Sequence, residues 1–189
     1  LIKSFWRVQG TFFQKGSLVA EGKINGWCKM RIIVNLLFLF FLVSLGRAAD
    51  YYIAKTGSDS NPGTLAQPWL TIRAAAERLR AGDTVYIRAG VYRERLIPQY
   101  PGSPGKYITY RAYGSEKVTI DGTGITLEDD LHGLVEIIGK SYIIISGLRV
   151  MNAGPYLDNA GIFIDGSQHI IIEKNYTYNT LSSGIGSWN

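Results

Sequence analysis

The sequence predicts an all-β chain, a parallel β-solenoid carrying one capping α-helix at its N-terminal end, and three observations predict it. The first is a repeat: GLVEIIGKSYIIISGLRVMNA (133–153) aligns without a gap with AGIFIDGSQHIIIEKNYTYNT (160–180) at a constant offset of 27. That offset pairs Gly139 with Gly166, Ile143 with Ile170 and Asn152 with Asn179, and periods of about 20–50 residues mark stacked-repeat architectures. The second is a further copy, SGIGSWN (183–189), which begins four residues closer, so the coil is 23–27 residues long. The third is the make-up of the unit, short β-branched runs punctuated by Gly and Asn with no helical period, which reads as strands.

Ahead of the repeats lies a segment of different character. Residues 30–48 (MRIIVNLLFLFFLVSLGRA) follow Lys29 and combine Arg31, an apolar run over 32–45, and small residues at Gly46 and Ala48. This is the pattern of a secretory signal peptide with a G-x-A cleavage site, predicted to release Ala49 onward. A membrane anchor is the competing reading, but the apolar run is shorter than the roughly 20 residues a span needs. No stable anchor is therefore expected after cleavage, and the expected location is secreted or cell-surface. The first methionine is Met30, so 1–29 reads as translated upstream sequence, with a cytoplasmic extension as the alternative.

Removing 1–48 changes the electrostatics. The segment holds seven of the 20 basic residues and one of the 15 acidic ones, which leaves 13 against 14 and a formal charge of −1. The high isoelectric point thus belongs to the leader, and nucleic acid is not an expected partner. Cys28, the one cysteine, goes with the leader. A repeat stack manages without disulfides because each coil buries its apolar face on the next.

From Tyr51 onward the elements follow in order. YYIA (51–54) is a short strand and TGSDSNPGT (56–64) a loop dense in turn residues. A helix is predicted over roughly 69–80, with Ile72, Ala75, Ala76 and Leu79 forming one apolar stripe. Gly82 is placed to supply its left-handed cap, and Arg73, Arg78 and Arg80 read as its solvated face. Such a helix suits the task of covering a solenoid end, whose open edge would otherwise recruit other chains. Strands are predicted over 84–90, 91–97, 106–113 and 117–122, separated by Gly- and Pro-rich turns.

The segment 51–94, through GSDSNPGT, QPW-x-TI-x-A-A and AGDTVYIRAGVYRE, resembles the opening of secreted right-handed parallel β-helix proteins of the polysaccharide lyase type. It is most similar to the pectate lyases of polysaccharide lyase family nine and their uncharacterised relatives, and the resemblance continues through the coils to Asn189. It implies a right-handed β-helix and β-elimination on uronic-acid polysaccharides. In that reaction a base removes the C5 proton while Ca²⁺ or basic side chains neutralise the adjacent carboxylate. In that family the base is a lysine, and calcium aspartates cluster around a DDG-x-D stretch.

Alternation along a strand assigns faces. Val135, Ile137, Ile162 and Ile164 point inward. Outward residues stack into two columns: Glu136, Phe163 and Gly186, then Ile138, Asp165 and Trp188. An outward Asp beside an outward Trp suits an elongated sugar, so Glu136, Phe163, Asp165 and Trp188 are the candidate substrate-binding residues; an ordinary solvent-facing strand is the alternative. Asn175, where each coil turns, is expected to satisfy backbone groups as an internal amide. Asn152 and Asn179 share a register and could do the same; Asn175 also opens an N-x-T sequon.

No catalytic residue is assigned. Ser182 and Ser183 stand where paired acids would begin a calcium cluster, so no metal ligand carries over, and the cofactor stays open, with Ca²⁺ implied for a full-length lyase. Asp129, Asp130 and Asp158 read as loop residues, His132 and His169 as isolated surface or turn residues, and Lys140 and Lys174 as lysines with no acidic cluster in register. The sequence stops in mid-strand, so an N-terminal fragment lacking the active site is expected, its catalytic residues lying beyond Asn189. The expected function is that of an exported polysaccharide lyase acting on an acidic polysaccharide. A glycoside hydrolase on the same fold, which needs facing carboxylates, and a non-catalytic adhesin or carbohydrate-binding solenoid remain as alternatives.

Overall fold

A computed structural model describes residues 48–127 and 131–188. The predicted leader up to residue 47, with the cleavage chemistry assigned to it, and the Asp129–Asp130 pair lie outside the described residues. The strands are β1 (Asp50–Ile53), β2 (Thr84–Ile87), β3 (Gly90–Tyr92), β4 (Ile108–Ala112), β5 (Val118–Asp121) and β6 (Gly133–Ile138), then β7 (Ser141–Ser146), β8 (Leu148–Ala153), β9 (Ala160–Asp165), β10 (Gln168–Glu173), β11 (Tyr176–Thr180) and β12 (Ile185–Trp188). Among the described residues one helix, α1, spans Ile72–Arg78.

Every pairing between these strands is parallel. They form a first sheet in the order β1-β2-β4-β7-β10, a second in the order β11-β8-β5-β3, and a third in the order β12-β9-β6. A parallel neighbour cannot be reached by a tight hairpin. Here the chain reaches it by passing through the other sheets, which makes a β-solenoid of about four turns.

The interior follows from alternation. Ile108, Ile143, Ile145, Ile120, Val150, Val135, Ile137 and Ile162 are fully buried, and each such side chain stabilises the fold by about 1.5–3 kcal/mol relative to exposure. The repeat read from the sequence is the register of the coils: Ile143, Ile144 and Ile145 pair with Ile170, Ile171 and Ile172, and Ile185 pairs with Ile162. Gly139 and Gly166 sit at the corner of successive coils with φ of +61° and +53°, the left-handed region that glycine enters without steric cost.

Not every earlier coil keeps to the expected 23–27 residues. Thr84 pairs with Thr109 at an offset of 25, inside that range, but Asp50 pairs with Thr84 and Ile108 with Ile143, offsets of 34 and 35. The extra length sits in irregular loops, which is why those coils show no sequence repeat. The predicted strand 91–97 is also shorter: β3 ends at Tyr92, and Leu96 makes a lone bridge to Val135.

Connections differ by corner. One or two residues link β6 to β7, β7 to β8, β9 to β10 and β10 to β11. The connections that enter the third sheet vary: residues 122–132 precede β6, 154–159 precede β9 and 181–184 precede β12.

The capping helix is present but shorter than predicted. Asp59 accepts from Leu70 N (2.9 Å), Thr71 N (3.0 Å) and Thr71 Oγ1 (2.8 Å), and Thr71 Oγ1 accepts from Ala74 N as N-cap (3.1 Å). Thr71 is extended as the N-cap, and Trp69 O is taken by Ala54 N (2.9 Å), so the helix begins only at Ile72. Trp69, expected inside it, instead bridges Ile53, stacks on Tyr51 at 4.7 Å and is buried. Gly82 is not the helix cap: the helix closes at Leu79, and the following turn is held by Asp83, which accepts from Arg80 N (2.8 Å) and Ala49 N (3.0 Å). Ile72, Ala75, Ala76 and Leu79 form the buried stripe as expected. The arginines opposite do more than face solvent: Arg78 lies over Trp69, Arg80 lies over Tyr100 at 3.5 Å, and Arg73 pairs with Glu77.

Asparagine amides mark two of the bends. Asn175 Oδ1 accepts from Leu148 N (2.9 Å) and its Nδ2 donates to Ile145 O (2.8 Å), so it satisfies the backbone of the coil before it. At the next bend Asn179 Nδ2 donates to Asn152 Oδ1 (2.7 Å), and Asn152 Nδ2 donates to Asp121 Oδ1 (2.7 Å). Asn152 and Asn179 have φ of +61° and +52°, a region asparagine tolerates better than most residues. Because Asn175 uses its Nδ2 as a donor, a glycan on the sequon would disrupt that bond.

Candidate functional site on the third sheet

The outer face of the third sheet carries the residues singled out from sequence, in the columns predicted. Glu136 pairs with Phe163 and Phe163 with Gly186; Ile138 pairs with Asp165 and Asp165 with Trp188. The Trp188 ring folds diagonally onto Phe163, with centroids 4.9 Å apart and planes at 27°. Gly186 makes this possible, since a Cβ there would run into the Trp188 ring. Phe163, although outward by register, is therefore only 3% exposed, while Trp188 is 38% exposed and forms the accessible surface.

Asp165 stands half-exposed beside this pair. Its side chain makes no ion pair or hydrogen bond among the described residues, so its carboxylate is available to a ligand hydroxyl.

Glu136 has a different part from the one expected. It is buried, and its Oε2 meets Arg95 Nη2 (2.6 Å), His132 Nδ1 (2.6 Å) and Gly133 N (3.3 Å). Arg95 Nε also donates to Gly133 O (3.1 Å). The carboxylate thus ties the loop entering β6 to the segment after β3, and it does not reach a glycan directly. His132, read as isolated, belongs to this network and lies 6.5 Å from Phe163. His169 is likewise not isolated, since it stacks on Tyr142 at 4.4 Å. Arg95 and His132 are the members that sequence reasoning missed. Arg95 lies 41 residues from Glu136, and no local pattern connects them.

The third-sheet face does not suit calcium. A hard cation takes several oxygen ligands, usually clustered carboxylates. Glu136 is already engaged, Asp165 is the single available acid in the columns, and Ser182 and Ser183 occupy the strand entry. Among the described residues no three His, Cys, Asp or Glu side chains are grouped to hold a metal. No chemical step through calcium is assigned to these residues. Lys140 and Lys174 fall at corners between strands, and Asp158 is exposed in the loop before β9.

Parallel sheets wound around an apolar interior, with polar and aromatic side chains outside, define a parallel β-helix. Within that class the chain belongs to the family described as Pel9A-like, right-handed β-helix region, whose model matches residues 51–188. The uncharacterized protein YwoF of Bacillus subtilis (strain 168) is 38% identical over 134 residues, covering 68% of this chain and 29% of that protein. Pectate lyase PEL9 of Emericella nidulans is 30% identical over 149 residues, covering 73% of this chain and 35% of that protein. A solved rhamnogalacturonan lyase structure superposes with a TM-score of 0.58 at 22% identity, over 74% of this chain and 38% of that one, a likeness of fold. The chain spans about a third of the length of these curated relatives.

Proposed function

We propose that this protein is exported and acts on an acidic polysaccharide by pectate lyase-type β-elimination, and that the coils described here bind the glycan rather than supply the base. Family membership and the likeness to a pectate lyase support the substrate class. The observation that carries the assignment of a binding role is the exposed Trp188, braced on Phe163 with the unpaired Asp165 alongside. An indole face takes the C–H face of a sugar ring, and buried Phe163 fixes its tilt. Asp165 accepts from ring hydroxyls. The Arg95–Glu136–His132 network holds the loop under this face, a positioning role.

The test uses the purified chain and oligogalacturonate. Replacing the exposed indole (Trp188→Ala) is expected to weaken binding about tenfold, or ~1.4 kcal/mol, with the far-ultraviolet spectrum unchanged. Formation of unsaturated uronides, followed by absorbance with and without calcium, is expected to be undetectable. Equal affinity of the variant would remove the platform, and calcium-dependent turnover by this chain would overturn the division between binding and catalysis.

A further inference from the structure

The second sheet presents a separate outer face. Thr177 of β11 pairs with the buried Val150, so its neighbours Tyr176 and Tyr178 point outward, in register with Arg149 and Met151 of β8. The two tyrosines are 53% and 58% exposed. Their rings are close to parallel, with centroids 6.5 Å apart and planes at 14°. Together with Arg149 and Met151 they line a shallow cavity of about 230 Å³.

Arg149 is the informative member. Its guanidinium lies over the Tyr176 ring, 5.2 Å from the centroid. Stacking occupies the face of the guanidinium and leaves its in-plane N–H donors pointing away from the ring. Among the described residues this side chain has neither an ion-pair partner nor a hydrogen bond. The carboxylate one column along is Asp121, which is turned into Asn152 and Thr123 and lies 3.5 Å from Arg93. The cavity therefore combines two exposed aromatic faces, a thioether floor and one uncompensated, pre-oriented fork of donors.

We infer that this face is a second binding surface for acidic glycan, in which the tyrosine rings take the C–H faces of the sugars and Arg149 takes a uronate carboxylate. The charge decides the occupant: a neutral sugar would use the rings and leave the guanidinium unmatched, whereas a carboxylate matches it in bidentate geometry. The inference rests on the acidic-glycan reading above but involves none of its residues. The two faces belong to different sheets of one solenoid, so a polymer could be held on both.

Two probes separate the contributions: oligogalacturonate, and its fully methyl-esterified form, which keeps the rings and lacks the charge. Titration calorimetry on the full chain is expected to show two sites for oligogalacturonate. The double variant Tyr176→Ala, Tyr178→Ala should retain one, and that one should disappear when Trp188→Ala is added. Arg149→Gln should weaken the second site about tenfold for oligogalacturonate and leave the ester unchanged. All these side chains are exposed, and circular dichroism checks that the fold survives. A single site lost in Trp188→Ala and intact in the tyrosine variant overturns this inference and spares the function above, whereas no binding of either probe overturns both. Arg149→Gln acting equally on the two probes refutes the carboxylate assignment. Tyrosine variants that change only self-association in sedimentation, with glycan affinity intact, would assign the face to a second copy of the chain and overturn the inference.

Discussion

Replacing Asn175 by alanine removes two hydrogen bonds from one corner of the solenoid. The amide oxygen serves Leu148 N at 2.9 Å and the amide nitrogen serves Ile145 O at 2.8 Å, both on residues whose side chains are fully buried. Each such bond contributes about 1 kcal/mol net, and a backbone group left unsatisfied costs ~1–3 kcal/mol. Asn175 is half-buried, so water can partly replace it, and the low end applies. The expected loss is about 2 kcal/mol, which for a chain of this size lowers the melting temperature by roughly 4–8 °C. A solenoid responds coil by coil, so amide exchange at Leu148 gives the sharper readout and should accelerate by about thirtyfold, since ~1.4 kcal/mol is a factor of ten. Asn175→Asp is the control. It keeps an acceptor for Leu148 N but sets a carboxylate oxygen against Ile145 O, and it should be no more stable than the alanine variant at neutral pH. A loss below about 0.5 kcal/mol by either measure, or an aspartate variant as stable as the native protein, would refute the structural role given to this amide.

Two further outcomes follow from other contacts. The Asn152 amide, above all, with burial opposing it and bonds from Thr123 reinforcing it, holds the Asp121 carboxyl down at about 2. Because the folded value lies below the unfolded one, near 3.9, the stabilisation is complete above about pH 4 and fades as pH falls through about 2. Asn152→Ala should therefore be less stable than the native protein at pH 5 and converge with it near pH 2; parallel curves across that range in urea denaturation would contradict the linkage. Gly57→Ala would place a Cβ against the carbonyl oxygens of Trp69 and Pro68. Backbone there cannot yield, so a loss of ~2–3 kcal/mol is expected, read from thermal melts with Trp69 fluorescence reporting the cap.

Much of the architecture was legible because stacked coils impose the same demands at the same slot. A corner that needs positive φ selects glycine twice, at Gly139 and Gly166, and the column partners of Phe163 and Asp165 followed from two offsets alone. What alternation could not supply was burial. Phe163 is outward by parity and yet covered, because Trp188 turns diagonally across Gly186. Glu136 was outward by the same parity, but its fate is set by Arg95, a long-range partner in a coil whose irregular length hides its register. The helix starts later than expected for a similar reason: Trp69 O, which would accept the first helical bond, accepts from Ala54 N (2.9 Å), a partner 15 residues away, and Thr71 is held extended as N-cap.

The unequal corners described above bear on how such a protein can change over generations. Residues can be gained or lost before β6, β9 or β12 without moving any strand out of register, as the differing lengths of 122–132, 154–159 and 181–184 demonstrate. From β6 onward the other bends, fixed at one or two residues, offer no such freedom. In these coils insertions are thus steered to one rim, the edge of the third sheet where the chain enters at Gly133, Ala160 and Ile185. A lineage can remodel what overhangs that face while inheriting the scaffold intact, and a protein engineer wishing to graft a recognition loop would place it at the same rim.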